Sequence, residues 1–237
     1  MPRFPTLRTA ALLLGFAASP ALAAPSLLVS DSGNLFANGS AVSTISYAPT
    51  GLSLNVRAGQ FNLAAKDVVT GVSSFIQAFC TDIFHSLALP TTYQVGALAD
   101  TLLNSVKVGQ INALLAHASV SGNAASAGLQ LAIWEVQNEK GTSGYNLAAG
   151  DFSVSNTDTS VLTTASSYLA KVGSGEWQAD SHATVRQLRA DGRQSLSYLD
   201  VPQDVPEPAS LALLGAGLVG LGLISRRSKQ AEQPQVA

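Results

Sequence analysis

The chain has little of what most functional classes require. One cysteine, Cys80, stands in 237 residues, so no disulfide can close within it. Outside a reducing compartment such a thiol is buried, paired between chains, reactive, or chemically capped. Charged residues make up only 12% of the chain, with a net charge of -2 and no like-charge run. That excludes a basic face for nucleic acid. The histidines are three and scattered, and Asp151 and Asp158 lack the spacing and companions of a calcium loop, so no metal site and no cofactor are expected. No phosphate-cradling glycine loop occurs: Gly215, Gly217, Gly220 and Gly222 fall in an apolar C-terminal stretch. There is no internal repeat.

What is present begins at the two ends. Arg3 and Arg8 precede an apolar run from Thr9 to Ala18 and then Ala21-Leu22-Ala23. A basic start, an apolar stretch too short to span a bilayer and a small-x-small site predict a signal peptide over residues 1–23, cut by signal peptidase after Ala23. At the other end Pro206-Glu207-Pro208 precedes an apolar segment, 209–224, followed by Arg226, Arg227 and Lys229. The segment is shorter than the ~20 residues of a comfortable membrane helix and rich in Gly and Ala. Its basic flank predicts a cytoplasmic end, leaving the preceding domain on the far side of the membrane. These three parts in order resemble the PEP-CTERM sorting signal, here over residues 205–230. The resemblance implies a membrane-held intermediate, cleavage by an exosortase, and delivery to the cell envelope, cell surface or exopolysaccharide matrix.

Residues 24–204 are then the working domain, long enough for one core. Ser43–Tyr47 and Leu52–Arg57 alternate apolar and polar positions around the turn Ala48–Gly51, which predicts a hairpin. Phe75–Phe84 mixes aromatic and β-branched residues and reads as a largely buried central strand carrying Cys80; Tyr93–Val95 adds a short one. Periodicity turns helical at Val108–Ala118, Ala124–Gln137 and Thr159–Val172. Thr184–Leu188 and Ser195–Leu199 read as closing strands. The expected fold is α+β: an antiparallel, β-rich domain of sandwich or barrel type with a helical insert.

Two segments carry candidate chemistry. Phe79 directly precedes Cys80, and Gln130 is embedded in Leu129-Gln130-Leu131-Ala132-Ile133-Trp134. A carboxamide in so apolar a helix needs hydrogen-bond partners or a covalent one. Together the segments resemble the paired signatures of the Cys-Gln thioester domains of bacterial surface adhesins, met at Phe79, Cys80, Leu129, Gln130, Ala132, Ile133 and Trp134. The resemblance implies that the Cys80 thiolate attacks the Gln130 carbonyl, expels ammonia and leaves an internal thioester. An amine or hydroxyl of an extracellular protein or polysaccharide then opens it. Folding supplies the proximity, and the site must exclude water; Phe79 and Trp134 are the expected shields. Such a protein is an adhesin that reacts once, and not an enzyme that turns over. His85 and His117 are candidates to assist acyl transfer, although a strand residue five positions after Cys80 points to the opposite face. Asp82 and Glu135 each lie close in sequence to Cys80 or Gln130, where a carboxylate could orient donors, but they read as ordinary polar positions. The alternatives are a matrix or structural protein with a core thiol and no thioester, and a cysteine hydrolase, for which no nucleophile motif is present.

Overall fold

A computed structural model describes residues 24–201. Ala23, the Pro206-Glu207-Pro208 triplet, the 209–224 segment, Arg226 and Arg227 lie outside the described residues. Within them the α+β expectation holds. Alternating strands build two sheets, and a helical insert lies between them in sequence.

The first sheet is a closed antiparallel barrel. In chain order its strands are β1 (Ser26–Asp31), β4 (Phe61–Asp67), β5 (Ser73–Cys80), β6 (Thr91–Ala97), β8 (Thr184–Arg189) and β9 (Leu196–Asp200). Around the barrel they run β1-β4-β5-β9-β8-β6. The period of two is clearest in β4, which buries Phe61, Leu63 and Ala65, and the strands together bury Val29, Tyr93 and Leu188 inside. The second sheet has three strands: β2 (Ser40–Tyr47), β3 (Leu52–Gly59) and β7 (Phe152–Ser155), in the order β3-β2-β7. The predicted hairpin is β2–β3, turning through Gly51 in the left-handed region (φ 68°).

The helices are α1 (Ser105–His117), α2 (Asn123–Asn138) and α3 (Thr159–Ser174). Asn104 caps α1 by accepting from the Val106 and Lys107 N–H groups. Helix α2 is buried without a break from Ser126 to Val136, the mark of an interior helix rather than a surface one. It packs on the small sheet, on α1 and α3, and on β5. Two contacts set its position. The Ser126 hydroxyl accepts from Gln60 N–H (2.8 Å) and donates to Gly39 O (2.7 Å). At Gly128 a side chain would meet Thr164 and the Ala165 nitrogen at 3.1 Å, so the missing Cβ lets α3 approach.

One strand expectation needs correction. The Phe75–Phe84 segment is not a single buried strand: β5 stops at Cys80, and Phe75 and Gln77 face solvent, Phe75 being 75% exposed. The Asp82 carboxylate accepts from Phe84 N–H (2.8 Å), a side-chain turn that competes with the ladder and ends the strand. Nor is β5 central, since a closed barrel has no centre or edge. Strand β7 escaped the pattern because four residues carry too little periodicity.

Candidate functional site

Cys80 is the last residue of β5 and Gln130 lies in the middle of α2; each is 1% exposed. The packing of α2 against β5 joins them through two hydrogen bonds. Cys80 N–H donates to Gln130 Oε1 (2.9 Å), and Gln130 Nε2 donates to the Cys80 carbonyl (2.8 Å). The buried carboxamide is thus satisfied by the backbone of the residue whose side chain is the only thiol. The Cys80 Sγ donates to the Asp82 carbonyl at 2.9 Å.

Both side chains border a cavity of about 480 Å³ that opens to solvent. Its walls are largely apolar: Ile45 from β2, Leu54 and Val56 from β3, Phe61 from β4, then Ile83, Leu87 and Trp134. Burial pushes the Cys80 thiol up to about 12, against the opposing pull of the Asp82 backbone and the Trp134 side chain. The Trp134 Nε1 is buried with no hydrogen-bond partner among the described residues. It lies near enough to Cys80 to favour the anionic sulfur.

The histidines separate. Because β5 ends at Cys80, the chain turns back and His85 joins the cavity wall, which a continued strand would have prevented. His85 Nδ1 is 2.7 Å from Asp82 Oδ2. His117 ends α1, contacts the Gln178 carbonyl at 3.0 Å and stacks on Trp177, and it does not line the cavity. The two expected shields also part company. Trp134, one helical turn after Gln130, closes one side of the cavity and packs against Phe152. Phe79 points the other way along β5 and lines a separate cavity with Ile76 and Leu129. Phe79 is buried core, not part of the wall around Cys80.

Sequence reasoning missed the other residues that shape the site. Asp82 read as an ordinary polar position, yet its carbonyl receives the thiol and its carboxylate both ends the strand and holds His85. The signal was local: an Asp two residues before Phe84 and three before His85. Ile45, Leu54 and Val56 arrive from a different sheet, and no local pattern announces that. Among the described residues no cluster of three metal-ligating side chains occurs.

Chemically, residue 80 supplies two of the groups an acyl transfer needs. Its sulfur can act as a nucleophile, and its own N–H is already on the carboxamide oxygen that would become an oxyanion. The second hydrogen bond fixes the nitrogen that would then leave as ammonia. A neutral thioester would also remove an acid whose ionisation burial opposes.

Residues 204–227 match the PEP-CTERM protein-sorting motif. The chain carries a PEP-CTERM signal. It implies an exported, surface-associated protein that is held transiently in the membrane and processed by an exosortase. No curated protein matches the chain at a significant level. Among solved structures it is similar to the N-terminal domain of the Streptococcus pyogenes pilus tip adhesin Cpa. That similarity has 13% identity and a TM-score of 0.39, and it covers 68% of this chain and 94% of that one. Among the described residues of the PEP-CTERM chain, no helix is long and apolar enough to cross a membrane.

Proposed function

We propose that this exported protein is a single-use covalent adhesin built on an internal Cys80–Gln130 thioester. The observation that carries the proposal is the pair of hydrogen bonds between the Gln130 carboxamide and the Cys80 backbone, at the inner end of an apolar cavity open to solvent. The sulfur adds to Gln130 Cδ, Cys80 N–H supports the oxyanion, and ammonia leaves with the thiol proton. Apolar walls keep water scarce. The Asp82-bound His85 is the base placed to take a proton from that nucleophile. After signal peptidase and exosortase processing the bond forms once with an amine or hydroxyl on a protein or polysaccharide, and no turnover follows.

The intact mass of the purified, processed protein tests this. It should be lighter than the sequence by one ammonia, and methylamine should add to it. Cys80→Ala and Gln130→Ala should each abolish both effects. A full-sequence mass with a thiol that titrates in the native protein sinks the proposal. It would leave the same two hydrogen bonds as a structural clasp in a matrix protein. Burst hydrolysis of an acyl substrate would instead favour a cysteine hydrolase.

A further inference from the structure

The described residues contain two free sheet edges, both in the small sheet, because the barrel closes on itself. One edge is β7, four residues long. The other is β3, eight residues long and paired with β2 at every position from Leu52–Tyr47 to Gly59–Ser40, without a bulge. Among the described residues, no backbone hydrogen bond from Leu52–Arg57 reaches any partner other than β2. Proteins blunt such edges by shortening them or with lysine, proline or a bulge. Strand β7 is short. Strand β3 is eight residues long with no lysine, proline or bulge, and Arg57 near its C-terminal end is its single charge, leaving Leu52–Val56 without such a device. Ser53, Leu54, Asn55 and Arg57 are exposed.

This edge borders the Cys80–Gln130 cavity. Leu54, Asn55, Val56 and Arg57 all line it. Alternate strand residues point to opposite faces, so a cavity touched by four in succession runs along the edge of the strand and not beneath one face. The loop Ile83–Leu87 supplies further wall.

We propose that β3 receives an extended polypeptide of a partner protein as an added strand, and that a lysine on that strand opens the thioester. This rests on the thioester reading and names its target class. A row of unpaired N–H and C=O groups repeating every two residues is complemented by a peptide backbone, whereas a polysaccharide lacks that alternation. The cavity selects the arm. Gln130 is 1% exposed, whereas Leu54, Asn55 and Arg57 on the same cavity are exposed, so an incoming group must reach inward from the strand. A serine or threonine hydroxyl lies only one carbon from its backbone. The four-carbon stem of lysine reaches further, and its methylenes suit the Leu54, Ile83 and Leu87 walls. The neutral Nζ adds to Gln130 Cδ, the C–S bond breaks, and a proton passes from nitrogen to sulfur. The products are an amide crosslink and the Cys80 thiol, with no other reactant.

The test uses the processed protein and four probes followed by intact mass. These are methylamine, Nα-acetyl-lysine methylamide, a short peptide alternating Thr and Val around one lysine, and the same peptide N-methylated at alternate backbone positions. The strand peptide should form its adduct at least ~10-fold faster than acetyl-lysine methylamide, and N-methylation should erase the advantage. Replacing its lysine with serine should abolish the adduct. Equal rates for the peptide and acetyl-lysine methylamide, with methylamine still adding, overturn docking and leave the thioester standing. A serine peptide that couples as fast overturns the choice of lysine. No methylamine adduct and no ammonia deficit overturn both readings together.

Discussion

Helix α2 buries Gln130 and Glu135, five residues apart, in different ways. Gln130 has both its amide atoms bonded to the backbone of one residue, Cys80. Glu135 has Oε1 on the Asn146 N–H (2.7 Å) and Oε2 without a hydrogen-bond partner among the described residues, at 0% exposure. Burial raises its pKa from 4.5 to about 7, the Asn146 bond opposing and Glu139 adding to the rise. A neutral group with every bond made tolerates a dry site at any pH. An acid with one bond missing ties the fold to pH. The middle of α2, where Gln130 meets Cys80, is therefore organised for geometry, and its C-terminal part carries an acid whose ionisation burial opposes.

Five substitutions would break or sharpen that contrast. The largest effect belongs to the clasp. On the thioester reading, Cys80→Ala and Gln130→Ala both remove a crosslink closing a loop of about 50 residues, worth about 4 kcal/mol where it constrains the unfolded chain as a disulfide does. Gln130→Ala also leaves the buried Cys80 N–H and C=O unpaired, and should fall below Cys80→Ala by about 1–3 kcal/mol in urea unfolding. Equal losses would mean that the amide does not hold the end of β5.

Next comes the acid in the C-terminal part. Because folding raises the Glu135 pKa, its contribution is fully present below about pH 4.5 and is lost as pH rises through about 7. The loss is at most about 3 kcal/mol. Glu135→Gln should flatten the urea midpoint between pH 5 and 8, and should stabilise the protein at pH 8. An unchanged slope would show that other groups carry the dependence.

Gly128→Ala tests whether the two parts are coupled through the placement of α2. Its Cβ would meet Thr164 and Ala165 at 3.1 Å, which should cost about 1–3 kcal/mol and lower Tm. It should also slow the appearance of the ammonia deficit, because the helix carries Gln130. Trp134→Phe should be the mildest. It keeps most of the shield but removes an unpartnered N–H, so stability should move by no more than about 1 kcal/mol. Methylamine opening should slow several-fold if that N–H stabilises the departing sulfur. An unchanged rate confines Trp134 to packing.

The pattern of residues made much of this visible in advance. The three helices, the β2–β3 hairpin and the closing strands follow from periodicity, and the signatures around Cys80 and Gln130 singled out two residues that are 50 positions apart and in contact. What stayed hidden was relational. Phe79 and Trp134 look alike as aromatic neighbours, but a strand sends Phe79 away from Cys80 while a helical turn brings Trp134 in line with Gln130. His85 and His117 look equally remote, and one side-chain turn at Asp82 decides between them. The cavity wall from β2 and β3 depends on how a second sheet sits over α2, which no local spacing encodes.

The barrel register has a mechanical consequence. Cys80 sits opposite Leu196, the first residue of β9, while the chain leaves for its sorting segment beyond Asp200, at that strand's other end. The cavity beside Cys80 and the exit of the polypeptide are thus about 15 Å apart along β9. A cell held by its tail and tugged through Gln130 would load that strand lengthwise, against five paired residues of β8. Resistance then comes from many ladder bonds strained at once, in shear, and not from one bond at a time peeling apart.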